Sequence, residues 1–495
     1  MQIKGDTDME EKNIVAIDLG TSKIAITVAK VNGDDIQVIY YKEKPSFGVR
    51  YSSIYNIMHV TEPLSRIIQE AEEALDIHIS QVVVGMPKYP IRQESNSAVI
   101  KDRGEDKDIT AEDITDLKSY AEDSYPLEDE SKEAIYGAVA QSFSDGENFQ
   151  IIEDDIIGMA SDLLEGHFKI FIGKKGDLKK IDTVMTKTGI SARKKYFTAE
   201  TTAKAVLTDA EMDNGVALID FGGGCTSVTI YHGKVMRHYA SIPFGGKNIT
   251  SDIKSECQIS ERLAENIKLA YGVCMPEKLQ SLSEKILQIR SGNSEPNKQI
   301  TVKYLSEIIT ARIEEIIMAM LYEIEESGFA DMLRSGIVIT GGVAQTANLG
   351  NFISELSGYR VRTGYPQNNF SKVGCDGLND TTAATSVGLL MAAKDELSMN
   401  CSFSIERSDS VIVEEGGYGQ PAYYPAEEAD DETQTTEPQQ AADDTQLTGQ
   451  DEPKPVEEKK PKRNLLEGIN IFWRNTIKKA EDAAEKIKEI REEEV

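Results

Sequence analysis

Two aspartate-glycine turns, far apart in the chain and each set between runs of β-forming residues, constrain this sequence more than any other feature. The first reads Ile14-Val15-Ala16-Ile17, then Asp18-Leu19-Gly20-Thr21-Ser22-Lys23, then Ile24-Ala25-Ile26-Thr27-Val28-Ala29, which is strand, tight polar turn, strand. The second is built alike: Val216-Ala217-Leu218-Ile219, then Asp220-Phe221-Gly222-Gly223-Gly224-Cys225-Thr226-Ser227, then Val228-Thr229-Ile230-Tyr231. Glycines let backbone N–H groups approach phosphate oxygens, and a carboxylate at a strand end can hold the hydrated cation that neutralises them. The pair points to one nucleotide held between two similar halves, with a hydrated cation at Asp18 and Asp220.

A third element makes the pair more specific. Ser335 to Thr340 reads as a buried strand ending in Gly341-Gly342, whose exposed backbone suits a flat adenine, and Val343 to Leu356 has helical spacing with Gly358 as a stop. The Asp18 turn, the Asp220 turn and Gly341-Gly342, in this order, resemble the two phosphate motifs and the adenosine motif of the actin, heat-shock chaperone and sugar kinase superfamily. The resemblance implies an α/β, actin-like (ribonuclease-H-like) two-lobed ATPase fold with ATP and Mg2+ in the cleft, Asp18 and Asp220 reaching the metal through water. Three ordinary β-turns would be the simpler account, but all three would have to coincide. Lys23 reads as a phosphate partner or as a surface lysine. Glu265 and Lys268, on the helical stretch Ile259 to Tyr271, read as ribose contacts or as a solvated helix face.

A formal charge of −30 argues against general nucleic-acid binding, which needs clustered Lys and Arg. Met1 to Lys12 is polar and acidic, so no secretory signal is expected, and no apolar run suffices for a spanning helix. Five scattered cysteines without a C-x-x-C pair read as reduced thiols, and five scattered histidines show no metal-ligand spacing.

The organisation expected is a flexible start (1–12), a first lobe (13–85), an inserted α+β subdomain (86–166), the first lobe resumed with an interlobe helix (167–205), a second lobe (206–374), a closing helix rich in small residues (375–400), an acidic disordered linker (401–463) and an amphipathic helix with an acidic end (464–495). Strands are expected at Val38 to Tyr41, Gln81 to Gly85 and Phe168 to Gly173, the last in the first lobe, with Asn148 to Ile152 extended. Helices are expected at Val60 to Leu75, Ile114 to Ala121, Leu178 to Thr188 and Val302 to Gly328. The linker has too few large apolar side chains to offset its ordering entropy. In the final helix Leu465, Leu466, Ile469, Phe472, Trp473 and Ile477 share one stripe, flanked by Lys and Arg. That stripe is too short to span a bilayer and suits the interface of an anionic membrane surface. Docking on the chain's own lobes or on a partner helix is the alternative.

The inserted subdomain, Gly20-Thr21-Ser22-Lys23-Ile24, Gly245-Gly246 with Thr250 and Asp252, Ala384 to Leu390, and the tethered last helix together resemble the FtsA family of bacterial actin-like cell-division proteins. The resemblance covers about Asn13 to Ala393, plus the last helix by type. It implies ATP binding, self-assembly into filaments, peripheral attachment to the cytoplasmic face of the inner membrane at the septum, tethering of the FtsZ ring and recruitment of other division proteins. It also implies an FtsZ contact on the second lobe, within about Lys247 to Gln299. An acidic segment capturing a basic partner is the other option. The chain departs from the pattern at Cys225 and Ser227, where many relatives carry a threonine and an acid. Phe197 to Ala203 matches the interlobe helix in which such ATPases place a water-orienting acid, yet that position falls on Thr198, with Glu200 two residues on and facing elsewhere. Thr198 and Glu200 are thus only weak catalytic candidates, and hydrolysis is expected to be weak or absent. An MreB-like filament protein would lack the insertion. A small-molecule kinase would need a catalytic carboxylate beyond the two turns, and a chaperone a β-rich domain after the closing helix.

Overall fold

The computed structural model describes residues 12–101, 108–289, 298–366, 370–394 and 400–404. The expected linker begins as structure, with Cys401 buried and Ser402–Ser404 paired antiparallel with Ile77–Ile79; its remainder and the last helix lie outside the described residues.

Two sheets repeat one plan. In the first lobe, Asp35–Pro45, Lys23–Asn32 and Lys12–Leu19 run antiparallel in that order, and Gln81–Gly85 and Ser191–Tyr196 continue the sheet in parallel from Lys12–Leu19. The two-residue strand Ser371–Lys372 closes the far edge. In the second lobe, Val235–Ile242, Thr226–His232 and Val216–Phe221 form the antiparallel part, and Ile337–Thr340 and Val361–Thr363 add the parallel part. Ile14 to Ile17 and Val216 to Ile219, the middle of the central strands, are apolar and buried, as fits sheets covered on both faces. Register fixes the turns: Asp18 pairs with Ala25 and Asp220 with Ser227, so each aspartate stands one residue from the end of its strand.

Helices Ile57–Leu75 and Lys175–Lys187 pack on the first sheet, and the 25-residue Val302–Glu326 packs on the second through Ile309, Ile313, Ile316 and Ile317. Thr198–Val206 crosses Ala384–Ala393 between the lobes, so closely that a Cβ on Gly388 would lie 2.0 Å from the Thr201 carbonyl oxygen. This is the tight crossing for which small residues are suited.

Three expectations need correction. Phe168 to Gly173 is a strand, but it does not resume the first lobe. It belongs to Leu164–Lys174, the middle strand of the inserted antiparallel sheet, between Arg92–Ile100 and Glu133–Ser144. Phe168, Ile170 and Ile172 pack with the helix Ala111–Ser124 on one face, while Phe171 enters the first-lobe core on the other. Burial on both faces gives the continuous apolar run of a main-sheet strand. Asn148 to Ile152 is not a strand: only Ile151 bridges to Phe143, and the missed element is Glu133–Ser144, whose mixed polarity hid it. Val343 to Leu356 is not one helix. A 3-10 turn at Gly342–Gln345 is separated from the helix Leu349–Ser357 by Asn348 at φ 64°, and Gly358 does end that helix at φ 76°.

Candidate functional site

The two turns face each other across a cleft of about 310 Å3 lined from both lobes. Asp18, Gly20, Thr21, Ser22 and Lys23 come from one side, and Asp220, Gly222, Gly223, Gly224 and Cys225 from the other. Their approach is close: a Cβ on Gly223 would lie 1.9 Å from the Ser22 Oγ, and one on Gly224 2.7 Å from the Thr21 Cγ2. Backbone bonds set the second turn, with Gly222 N–H donating to the Cys225 carbonyl at 2.9 Å. Gly246 N–H donates to the Gly222 carbonyl at 3.0 Å and Lys247 N–H to that of Gly223 at 2.8 Å. Lys247 Nζ then ties the lobes by donating to the Thr21 carbonyl at 2.7 Å.

Gly341-Gly342 lies at the end of Ile337–Thr340, beside Asp220 across the parallel register. Gly341 has φ +86°, and a Cβ there would lie 2.4 Å from the Phe221 carbonyl oxygen and 2.7 Å from Asp220 Oδ1, so glycine is required. Gly342 has open space, its nearest neighbour to an added Cβ being Thr382 Cγ2 at 3.8 Å.

Other candidates separate. Glu265 and Lys268 line the cleft and are 2.8 Å apart, and Lys268 Nζ also donates to Thr250 Oγ1 at 2.8 Å and to the Gly246 carbonyl at 3.1 Å. They form a cleft-side network rather than a solvated face. Lys23 Nζ is paired with Glu43 and donates to the Tyr41 hydroxyl at 2.9 Å. Thr226 does not reach the cleft: it is fully buried, and its hydroxyl donates to the Phe244 carbonyl at 2.8 Å. Its place among the nucleotide contacts is therefore withdrawn, because the strand alternation turns it away from Cys225.

Thr198 lines the cleft with its hydroxyl given to the Met86 carbonyl at 3.1 Å. Glu200 does not line it. Burial raises its pKa, only partly offset by Lys118 and Lys204, and Lys118 belongs to the inserted subdomain. Thr198 and Glu200, two residues apart on one helix, thus face different surroundings.

Sequence reasoning missed Lys88, Asp177, Ser52 and Thr385, all on the cleft wall. Lys88 Nζ is ion-paired with Asp220 and donates to Thr385 Oγ1 at 3.1 Å. Burial alone would lower its pKa, but Asp220 and Asp18 outweigh that and hold it above 10.5, so it is an ammonium. The Asp18 pKa is raised as well, above 3.8, by burial first and by Asp220 and Glu43, against Lys88 and Lys23. The signal available was a lysine just past the end of a buried strand, Gly85-Met86-Pro87-Lys88, but nothing local ties it to Asp220. Asp177 accepts from Ser53 Oγ at 2.8 Å and Lys180 Nζ at 3.0 Å. The Cys225 thiol is pushed up to about 12 by burial and stays protonated.

Two repeated sheets around one cleft, with an inserted subdomain on the first, define an actin-like two-lobed protein. The PilM-PilN type IV pilus biogenesis complex contains a chain of the same fold, with a TM-score of 0.55 at 12% identity over 77% of this chain and 98% of that one. The family model for cell division protein FtsA matches residues 217–388. Cell division protein FtsA of Neisseria meningitidis serogroup B is 30% identical over 392 residues, covering 78% of this chain and 91% of that protein. That of Enterococcus hirae is 30% identical over 354 residues, covering 71% and 78%. The chain belongs to the FtsA family and is a cell-division protein with an actin-like fold.

Proposed function

We propose that this protein is an ATP-binding scaffold that tethers the FtsZ ring to the cytoplasmic membrane during division and assembles into filaments there. The observation that carries the reading is the convergence of both aspartate-glycine turns and Gly341-Gly342 on one cleft. The donor set fits the nucleotide: Gly223, Gly224 and Gly341 stand where a side chain has no room, so only backbone lines the cleft there, and two carboxylates offer hard oxygen ligands for hydrated Mg2+. Asp18 and Asp220 would hold the metal through water, the two turns the phosphates, Gly341-Gly342 the adenine, and Glu265 with Lys268 the ribose. Bound Mg-ATP would supply charge and contacts that favour lobe closure and self-assembly. The chain's own residues offer little for hydrolysis, since Thr198 is committed to a carbonyl and Glu200 faces the inserted subdomain.

Membrane attachment rests on Leu465, Leu466, Ile469, Phe472, Trp473 and Ile477, with Trp473 suited to the headgroup boundary. Among the described residues no helix is long and apolar enough to cross a membrane. FtsZ and other division proteins would meet the folded lobes, FtsZ on the second lobe. The discriminating test is Gly342→Val, because Gly342 has room for a side chain and no positive φ. Calorimetry should show a melting temperature close to wild type and ATP affinity reduced at least about tenfold, since a branched side chain fills the adenine face. Undiminished ATP binding would refute the cleft assignment.

A further inference from the structure

We propose that Lys88 is a tethered counter-cation of the cleft that shares Asp220 with the hydrated Mg2+ and bonds the phosphates itself, so that nucleotide uptake depends only weakly on magnesium. This inference rests on the ATP-binding reading above and adds a residue and a metal dependence to it.

The placement follows from sheet topology. Gln81–Gly85 runs parallel to Lys12–Leu19, with Ala16 opposite Val83 and Ile17 opposite Val84, so the chain leaving Gly85 emerges beside Asp18. Lys88 is then pinned along its backbone. Its N–H donates to Ser52 Oγ at 3.0 Å, and its carbonyl accepts from the Tyr239 hydroxyl, a second-lobe group, at 2.6 Å. Its side chain, 15% exposed, crosses to Asp220, itself 10% exposed, and reaches Thr385 on the closing helix. A lysine anchored at both backbone groups and at two side-chain partners is not a roaming surface residue.

Two carboxylates brought together away from bulk water repel and require a cation. The other lysine acting on Asp18, Lys23, is already engaged by Glu43 and Tyr41, and Lys268 by Glu265. Lys88 therefore supplies the positive charge shared by the two turns. An incoming metal must compete with an ammonium for Asp220. A phosphate can instead accept a charge-assisted bond from that ammonium without any metal.

The test uses the full chain, titrated with ATP in magnesium and in EDTA, and with magnesium chloride alone, by calorimetry. Wild-type affinity in EDTA should lie within about tenfold of that in magnesium. Lys88→Met should widen the magnesium-to-EDTA ratio by at least about tenfold and bind magnesium alone more tightly than wild type, while Lys88→Arg keeps the wild-type ratio. A wild-type dependence on magnesium above about a hundredfold, or an unchanged ratio in Lys88→Met, would overturn the proposal. Should wild type bind ATP in neither condition, the ATP-binding reading fails by itself. The magnesium titration then decides Lys88: tighter binding in Lys88→Met supports its role, and equal binding rejects it. If Lys88→Met does not fold, the wild-type ratio remains decisive.

Discussion

Thr198 lines the cleft with its hydroxyl spent on the Met86 carbonyl, and on the proposed reading it stands where a water-orienting acid would be needed. Without a positioned base, hydrolysis should be slower by roughly two to four orders of magnitude. Phosphate release should accordingly be slow, and equally slow in Thr198→Val. Brisk magnesium-dependent turnover abolished in that variant, with ATP binding intact, would contradict this. Single residues also show why parts of the site were readable and others not. Asp18, Asp220 and the turn glycines carry their meaning locally, because the backbone shape itself dictates the residue. Lys88 leaves a strand parallel to that of Asp18 and meets Asp220, 132 positions away, only across the cleft, and no local pattern encodes that. Thr226 erred in the other direction, sharing the turn in sequence while the pleat pointed it inward.

Among the elements, the short helix Asp209–Asn214 is tied to the second-lobe edge strand Val361–Thr363 through Glu211 and Arg362, with both Arg362 Nε and Nη2 donating at 2.6 Å. Burial would raise the Glu211 carboxyl, but Arg362 and the Thr208 cap outweigh it and hold its pKa below 4.5. A depressed carboxylate stabilises the fold fully above its unfolded value and loses that contribution as pH falls through the folded value. Glu211→Gln should therefore cost about 1 kcal/mol at neutral pH, after discounting for the partly exposed Arg362. The gap in melting temperature should shrink as pH drops below 4.5, and a gap constant with pH would exclude this coupling.

The inserted sheet is joined to both lobes by an aromatic cluster. Phe171 stacks on Phe197 at 4.8 Å and meets Tyr239 edge-on at 6.2 Å, bringing together the inserted strand, the start of the interlobe helix and a second-lobe strand. Phe171→Ala should cost about 3–5 kcal/mol, read by chemical denaturation. A loss below about 1 kcal/mol would mean that the insertion is held elsewhere. The same residue explains the misplaced strand: its two buried faces serve two cores, and hydrophobic periodicity cannot say which sheet a doubly buried strand joins. Strands with one meaning, such as Gln81–Gly85, were legible to the residue.

At the scale of the whole molecule, two lobes of one plan were visible in the repeated turns, and membership of the FtsA family accords with the insertion and the cleft they share. The membrane helix is a reading of the sequence alone. If this chain links FtsZ to lipid, as proposed, vesicle flotation with purified FtsZ and ATP will show it. Wild-type protein should carry FtsZ to the top of the gradient with anionic vesicles, less well at high salt as screening weakens the Lys and Arg contacts. Trp473→Glu should leave both proteins at the bottom with ATP affinity unchanged. Flotation of FtsZ by Trp473→Glu equal to wild type, or failure of the wild-type chain to float FtsZ at all, would contradict the account.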